Sequence, residues 1–215
     1  MSEETTIIKK EYSFKLDAQL AAQLEKRGFF RRGRSLIYER ILPESVQLLD
    51  FELEMRPADR KNCVAAVYPW LEVDIGQVKS TVLEMIGGDH SLLSGVSGTT
   101  LRQPVELTAA KSAHARWFVH GEDSINAILI ELHFFLDHWA LPFLDAYTNA
   151  KDVCVAYDKA DQRVLHDLPQ ALRVAAAMLI ERRSQDAKAV VDKWFGRPAA
   201  RKRYRYVFDY IAART

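Results

Sequence analysis

The sequence predicts an α+β fold, an antiparallel sheet of four to five strands packed on a central helix, with a C-terminal helical layer. Three observations carry that expectation. Strict alternation from Leu49 places Leu49, Phe51, Leu53 and Met55 on one face and Asp50, Glu52, Glu54 and Arg56 on the other, the mark of a half-buried strand. The connections on either side, Leu42-Pro43-Glu44-Ser45 and Pro57-Ala58-Asp59-Arg60-Lys61-Asn62, are rich in turn formers and short enough to require antiparallel neighbours. From Ser124 onward the apolar period changes from two to that of a helix.

The elements follow in order. Leu16, Leu20 and Leu24 recur every four residues, which predicts a helix over 17–27 with Gly28 as its C′ residue. Residues 33–42, 49–56 and 63–68 read as a three-stranded meander. A short helix over 76–86 should stop at Gly87-Gly88, and the Gly/Ser/Thr-rich stretch 92–100 reads as a flexible surface loop. Two more strands are expected at 105–108 and 115–119, the second with Ala115, Trp117 and Val119 on one side.

Ser124 is positioned to cap the central helix, whose stripe is Ile125, Ile128, Leu129, Leu132, Leu136 and Trp139. The opposite side carries Ala127, Ile130 and Phe134. Apolar groups nearly all round imply cover on two sides, with Phe134 buried. A short helix over 150–157 follows, then the start signal Asp167-Leu168-Pro169-Gln170, where Asp caps, Pro fits N1 and Gln fits N3. The stripe Leu172, Ala176, Leu179, Ala187, Val190 and Trp194 fits one helix bent near Arg183 or two, ending at Gly196, and a last helix fills 199–213.

With 215 residues, 48% hydrophobic and 27% charged, the chain has ordinary globular composition and is expected to form a single domain over 1–215, mostly sheet to residue 120 and helical after it. A formal charge of +1 gives no whole-protein field for nucleic acid or anionic membrane. Cys63 and Cys154 read as buried, reduced thiols. The opening MSEETTIIKKEY lacks the apolar core of a signal peptide, and no window approaches about 18 uninterrupted apolar residues. The expectation is a cytoplasmic protein with no membrane role.

The run Arg31-Arg32-Gly33-Arg34-Ser35-Leu36-Ile37-Tyr38-Glu39-Arg40, the strand Val46-Gln47-Leu48-Leu49-Asp50-Phe51 and the segment Val67-Tyr68-Pro69-Trp70-Leu71 resemble the opening meander of an uncharacterised bacterial family, a domain of unknown function. Trp139-Ala140-Leu141-Pro142-Phe143-Leu144 is similar to that family's helix-then-Leu-Pro segment. The resemblance covers roughly residues 15–150, rests on apolar structural motifs and implies no activity for any residue.

His133 and Asp137 share one flank of the central helix and Glu131 and His138 the other, so three ligands do not converge, and neither a metal nor a cofactor is expected. Gly95-Val96-Ser97-Gly98-Thr99-Thr100 resembles a nucleophile elbow but lacks its second glycine in place, and no P-loop lysine follows it. Neither cysteine has the cationic sequence neighbours that favour a thiolate. No catalytic residue is assigned.

The charge distribution is the sharper feature. From Arg182 to the end, ten basic residues face Asp186, Asp192 and Asp209, a net of +7 that leaves −6 for the rest of the chain. If Tyr204, Phe208 and Ile211 point inward on the last helix, Arg201, Lys202 and Arg205 form an exposed row suited to phosphates or a carboxylate-rich surface. The expected function is a non-catalytic binding or interaction protein of uncharacterised partner, for which another protein is one candidate. The alternatives are nucleic-acid binding through the basic C-terminal helix and an enzyme whose site is unrecognised.

Overall fold

The α+β class stands. The computed structural model describes residues 3–33, 35–93, 98–104, 116–164 and 168–215. The expected strand at 105–108 lies outside these residues, as do Ala115, Asp167 and residues 94–97. The described elements are α1 (Glu3–Glu25), β1 (Phe30–Arg31), β2 (Ile37–Ile41), β3 (Ser45–Met55), β4 (Ala65–Ile75), α2 (Gly76–Met85), β5 (Leu101–Pro104), β6 (Trp117–Val119) and α3 (Glu122–Phe135). They continue with α4 (Leu141–Asp145), α5 (Ala150–Asp158), α6 (Leu168–Ile180), α7 (Ser184–Phe195), α8 (Pro198–Arg203) and α9 (Arg205–Ala212). The chain divides into two compact units, one of residues 1–42, 46–72 and 103–145, the other of residues 43–45, 73–102 and 146–215.

Among the described residues the sheet holds six strands in the order β1-β2-β3-β4-β5, with β6 also paired to β4. In the first unit, β2 lies antiparallel to β3 with Ile37 opposite Asp50 and Ile41 opposite Val46, and β1 pairs with β2 as a two-residue edge. The alternation read from the sequence sets the faces: Leu49, Phe51 and Leu53 are buried.

α1 begins at Glu3, fourteen residues ahead of the predicted start at 17. Its buried face is Thr5, Tyr12, Leu16, Leu20 and Leu24, so burial along one side sustains a first half whose exposed Ile7 and Phe14 obscured the period. Its end is as expected: Gly28, at φ 79°, bonds Glu25, and the Phe29 N–H reaches the Leu24 carbonyl at 3.0 Å, a Schellman close.

The central helix departs from expectation. Gly121 occupies the cap position of α3 and Ser124 sits at N3, where its hydroxyl accepts the His120 N–H at 3.0 Å and donates to the Gly121 carbonyl at 2.6 Å. Ile125, Ile128, Leu129, Leu132, Phe135 and Leu136 are buried, and the helix packs on β6 and α1. Its other side is open to solvent: Ala127 and Ile130 are exposed, and Phe134, expected to be buried, is 58% exposed and stacks on His138 at 4.1 Å. A π turn over Leu136–Ala140 adds a residue to the winding, so the inward stripe moves from Trp139, 37% exposed, to Ala140. The Phe134→Ala variant is therefore expected to lose less than about 1 kcal/mol, within the range of surface substitutions; a loss above 3 kcal/mol in chemical denaturation would restore a covered outer face.

The helical run Asp123–Asp145 is long and apolar enough by length and composition to cross a membrane, with mean hydropathy 1.3, and half of that window is buried. The core helix of a soluble protein passes the same test.

In the second unit, α6 packs against α2, α5 and α7, and α9 against α2 and α7. The stretch the sequence left as one helix or two is two: Arg182 takes φ 59° between α6 and α7. Arg183 fastens the junction through Asp158 at 2.8 Å and Asp186 at 2.7 Å. The expected C-terminal helix is also broken, at Tyr204, whose ring lies 4.3 Å from that of Phe195.

Candidate ligand cavity

Within the second unit, α2, the turn at His90–Leu93, residues 98–100 and α6 line a partly open cavity of about 280 Å³. Val78, Val82 and Met85 form the buried stripe of α2, and the cavity takes Val78 and Val82 from it, with Lys79 and Leu83 beside them. The helix stops just before Gly87 and Gly88, as expected from the sequence, and both glycines take positive φ. Gly87 takes positive φ, which favours glycine, and a Cβ there would also stand 3.2 Å from the exposed Tyr206 ring and press it aside.

Beyond the glycines the Asp89 carboxylate accepts from the Ser91 N–H at 3.0 Å and its hydroxyl at 2.6 Å, bonds that hold the carboxyl below the usual range. They organise a short 3₁₀ turn over His90–Leu93, which adds His90 and Leu93 to the wall. Gly98, Thr99 and Thr100 complete it from the far end of the stretch 92–100. The sequence marked that stretch as a surface loop; at Thr100 it is buried, because the Thr100 hydroxyl accepts the Ile75 N–H at 2.8 Å.

The polar centre is Arg173, 7% exposed and in the cavity wall. It sits on a helix with Ala171, Leu172, Val174, Ala175, Ala176, Ala177 and Met178 all buried. Gln170, one turn earlier, orients it: Gln170 Oε1 accepts from Arg173 Nη1 at 3.1 Å, and Gln170 Nε2 donates to the Thr100 carbonyl at 3.2 Å. Guanidinium stays charged at any physiological pH and presents a planar fork that matches carboxylate or phosphate. Lys79, half-exposed and 3.4 Å from Asp74, stands at the rim, and His90 adds an imidazole to the wall. Val78, Val82, Leu83 and Leu93 supply the apolar part of the wall, beside Gly98, Thr99 and Thr100.

The residues singled out from sequence lie elsewhere. Arg201, Lys202 and Arg205 are exposed, on α8 and at the start of α9, with Tyr204, Val207 and Ile211 buried beneath them. Phe208, expected inward, is only half-buried and carries the Arg201 guanidinium 4.2 Å over its ring. Arg201 also meets Asp192 at 3.4 Å, and Arg205 meets Asp209 at 3.5 Å. Two of the three bases thus have local carboxylates, exposed pairs of little energetic weight.

His133 and Asp137 do come together, on either side of Gln23 of α1. Gln23 Oε1 meets His133 Nδ1, and Gln23 Nε2 donates to Asp137 Oδ1 at 2.9 Å, which fastens α1 to α3. His138 is turned to Phe134 instead. Among the described residues, no group of three or more His, Cys, Asp or Glu is placed to hold a metal ion. Burial pushes the Cys63 thiol up and the Cys154 thiol up to about 11, so both stay protonated near neutrality.

Sequence reading missed Arg173, though a signal was present. In Leu168-Pro169-Gln170-Ala171-Leu172-Arg173-Val174-Ala175-Ala176-Ala177-Met178 a lone Arg three residues after a Gln interrupts an otherwise apolar helix, and arginine is almost never fully buried unless it is paired. No known protein family, no curated protein and no solved structure matches the chain.

Proposed function

We propose that this chain is a non-catalytic binding protein whose second unit holds a small ligand with an apolar body and a single carboxylate or phosphate. The observation that carries this reading is the buried Arg173 in the wall of a mostly apolar cavity. A volume of about 280 Å³ lies at the small end of ligand pockets, which suits a short-chain acid better than a nucleotide or a long acyl chain. In this reading Arg173 binds the anion, Lys79 adds long-range attraction at the rim, and Val78, Val82, Leu83 and Leu93 take the apolar body. The same reading keeps the chain in the cytoplasm, off the membrane, and without a cofactor.

Calorimetric titration with octanoate, hexyl phosphate and octanol tests it. Octanoate or hexyl phosphate is expected to bind at least tenfold more tightly than octanol. Arg173→Gln should weaken the anions by about 10- to 100-fold, the scale of a charged hydrogen bond, and leave octanol unchanged. Octanol binding as tightly as both anions, or Arg173→Gln binding octanoate as the parent does, would reject the reading.

A second reading rests on the exposure of Arg201, Lys202 and Arg205, which suits an acidic protein surface or the phosphates of a nucleic acid. The carboxylates of Asp192 and Asp209 compete for two of these three side chains.

A further inference from the structure

We infer that Gln170 is the positioning residue of the cavity: its neutral amide holds Arg173 in the wall for an anionic ligand and leaves the charge of the guanidinium uncancelled. The inference rests on the ligand reading given above. It adds a residue that acts through Arg173 and sets the preference for anions.

Gln170 is 1% exposed and stands on α6 three residues ahead of Arg173, so the two side chains share one face of the helix. A buried amide has a donor end and an acceptor end to satisfy. Here Oε1 accepts from Arg173 Nη1 at 3.1 Å, and Nε2 donates to the Thr100 carbonyl at 3.2 Å. Thr100 is itself fixed, because its hydroxyl accepts the N–H of Ile75, the last residue of β4, at 2.8 Å. The guanidinium is thus tied through Gln170 and Thr100 to the end of a strand. Arg173 and Thr100 both line the cavity, whereas Gln170 lies behind them.

Only an amide serves both partners and stays neutral. A carboxylate of the same size has no donor for the Thr100 carbonyl. It would stand where Oε1 stands and pair with Arg173 through a charge-assisted bond, about twice as strong as a neutral one. Being part of the chain, such a carboxylate would compete with the ligand's own anion at every ligand concentration. Glutamine takes up one Nη1 hydrogen without that competition.

Calorimetric titration of the parent protein, Q170E and Q170M with octanoate, hexyl phosphate and octanol tests the role. Both variants lose the donor to Thr100, and they differ in whether a charge meets Arg173. In Q170E the anions are expected to weaken by about 100-fold or more, the scale of a charged hydrogen bond. In Q170M they should weaken by about 3- to 10-fold, the scale of a neutral one, and octanol should bind all three proteins alike. Equal losses in the two variants, octanol weakened as much as the anions, or Q170E binding octanoate as the parent does would overturn the inference. Where Q170E does not fold, Q170M decides: a loss confined to the anions supports the role, and undiminished anion binding overturns it. Failure of the ligand reading shows earlier and separately, in a parent protein that binds octanol as tightly as both anions, and it takes this role with it.

Discussion

Replacing Gln47 by alanine is expected to destabilise the first unit by about 3 to 4 kcal/mol, because one side chain there serves three polar groups that water cannot reach. Gln47 is fully buried; its Oε1 accepts from Arg40 Nε at 2.8 Å and Nη2 at 2.6 Å, and its Nε2 donates to the Leu144 carbonyl at 2.6 Å. Arg40 in turn meets Asp145 at 2.5 Å and lies 4.5 Å over the Phe29 ring. The cluster ties the β2–β3 hairpin to the end of α4. Each buried group left without a partner costs about 1–3 kcal/mol, and truncation to alanine adds a cavity. Gln47→Leu fills the space but leaves the Leu144 carbonyl and part of the guanidinium unserved, so it should still lose about 2 kcal/mol. Gln47→Glu keeps the acceptor for Arg40 and should lose least of the three. Urea denaturation ranks them; a loss below 1 kcal/mol for Gln47→Ala would show that the cluster is not closed to water.

In the second unit the largest loss is expected at Phe195. The ring is fully buried at the end of α7 and packs against Tyr204 at 4.3 Å with a 48° tilt, at the residue where α8 gives way to α9. Phe195→Ala should cost about 3–5 kcal/mol, from lost transfer energy, a cavity and the aromatic pair. The loss has a local signature. Val207 and Ile211 hold the rest of α9 in place, and Tyr210 donates to Glu84 at 2.6 Å, so α9 should loosen at its start before its end. Hydrogen exchange should therefore quicken most around residues 204–207. Uniform quickening across the unit would mean that Tyr204 is not the pivot of the C-terminal helices.

What the sequence disclosed and what it hid follow from the range of the forces involved. Period and punctuation are local, and they located β3 through Leu49, Phe51 and Leu53, the close of α1 through Gly28, α2 through Gly87 and Gly88, and the junction near Arg183. Burial is not local. The all-round apolar pattern of α3 implied a helix covered on two sides, yet Ile130 and Phe134 face solvent, since an apolar residue outside is common and only a buried polar one is informative. The π turn at Leu136–Ala140 has no sequence signal among Leu136-Asp137-His138-Trp139-Ala140 and redirects Trp139. The cavity was illegible for a different reason: its wall joins α2, the turn at His90–Leu93 and Thr100 to Arg173, which lies more than 70 positions further along the chain and is brought there only by the fold. The basic row Arg201, Lys202 and Arg205 was legible as charge, and so was Asp209, four residues after Arg205 on α9, whereas the contact of Arg201 with Asp192 joins α8 to the preceding helix α7.

The central claim is that Arg173 meets the anionic end of a ligand, and its own guanidinium nitrogen reports on that most directly. With the protein labelled on arginine nitrogen, the Arg173 Nε–H resonance, assigned by its loss in Arg173→Gln, is followed while octanoate is added. The account predicts a saturable shift of this resonance larger than that of any other arginine, including Arg201 and Arg205, and no comparable shift with octanol. A resonance that stays in place while octanoate binds, or that moves equally with octanol, would contradict it.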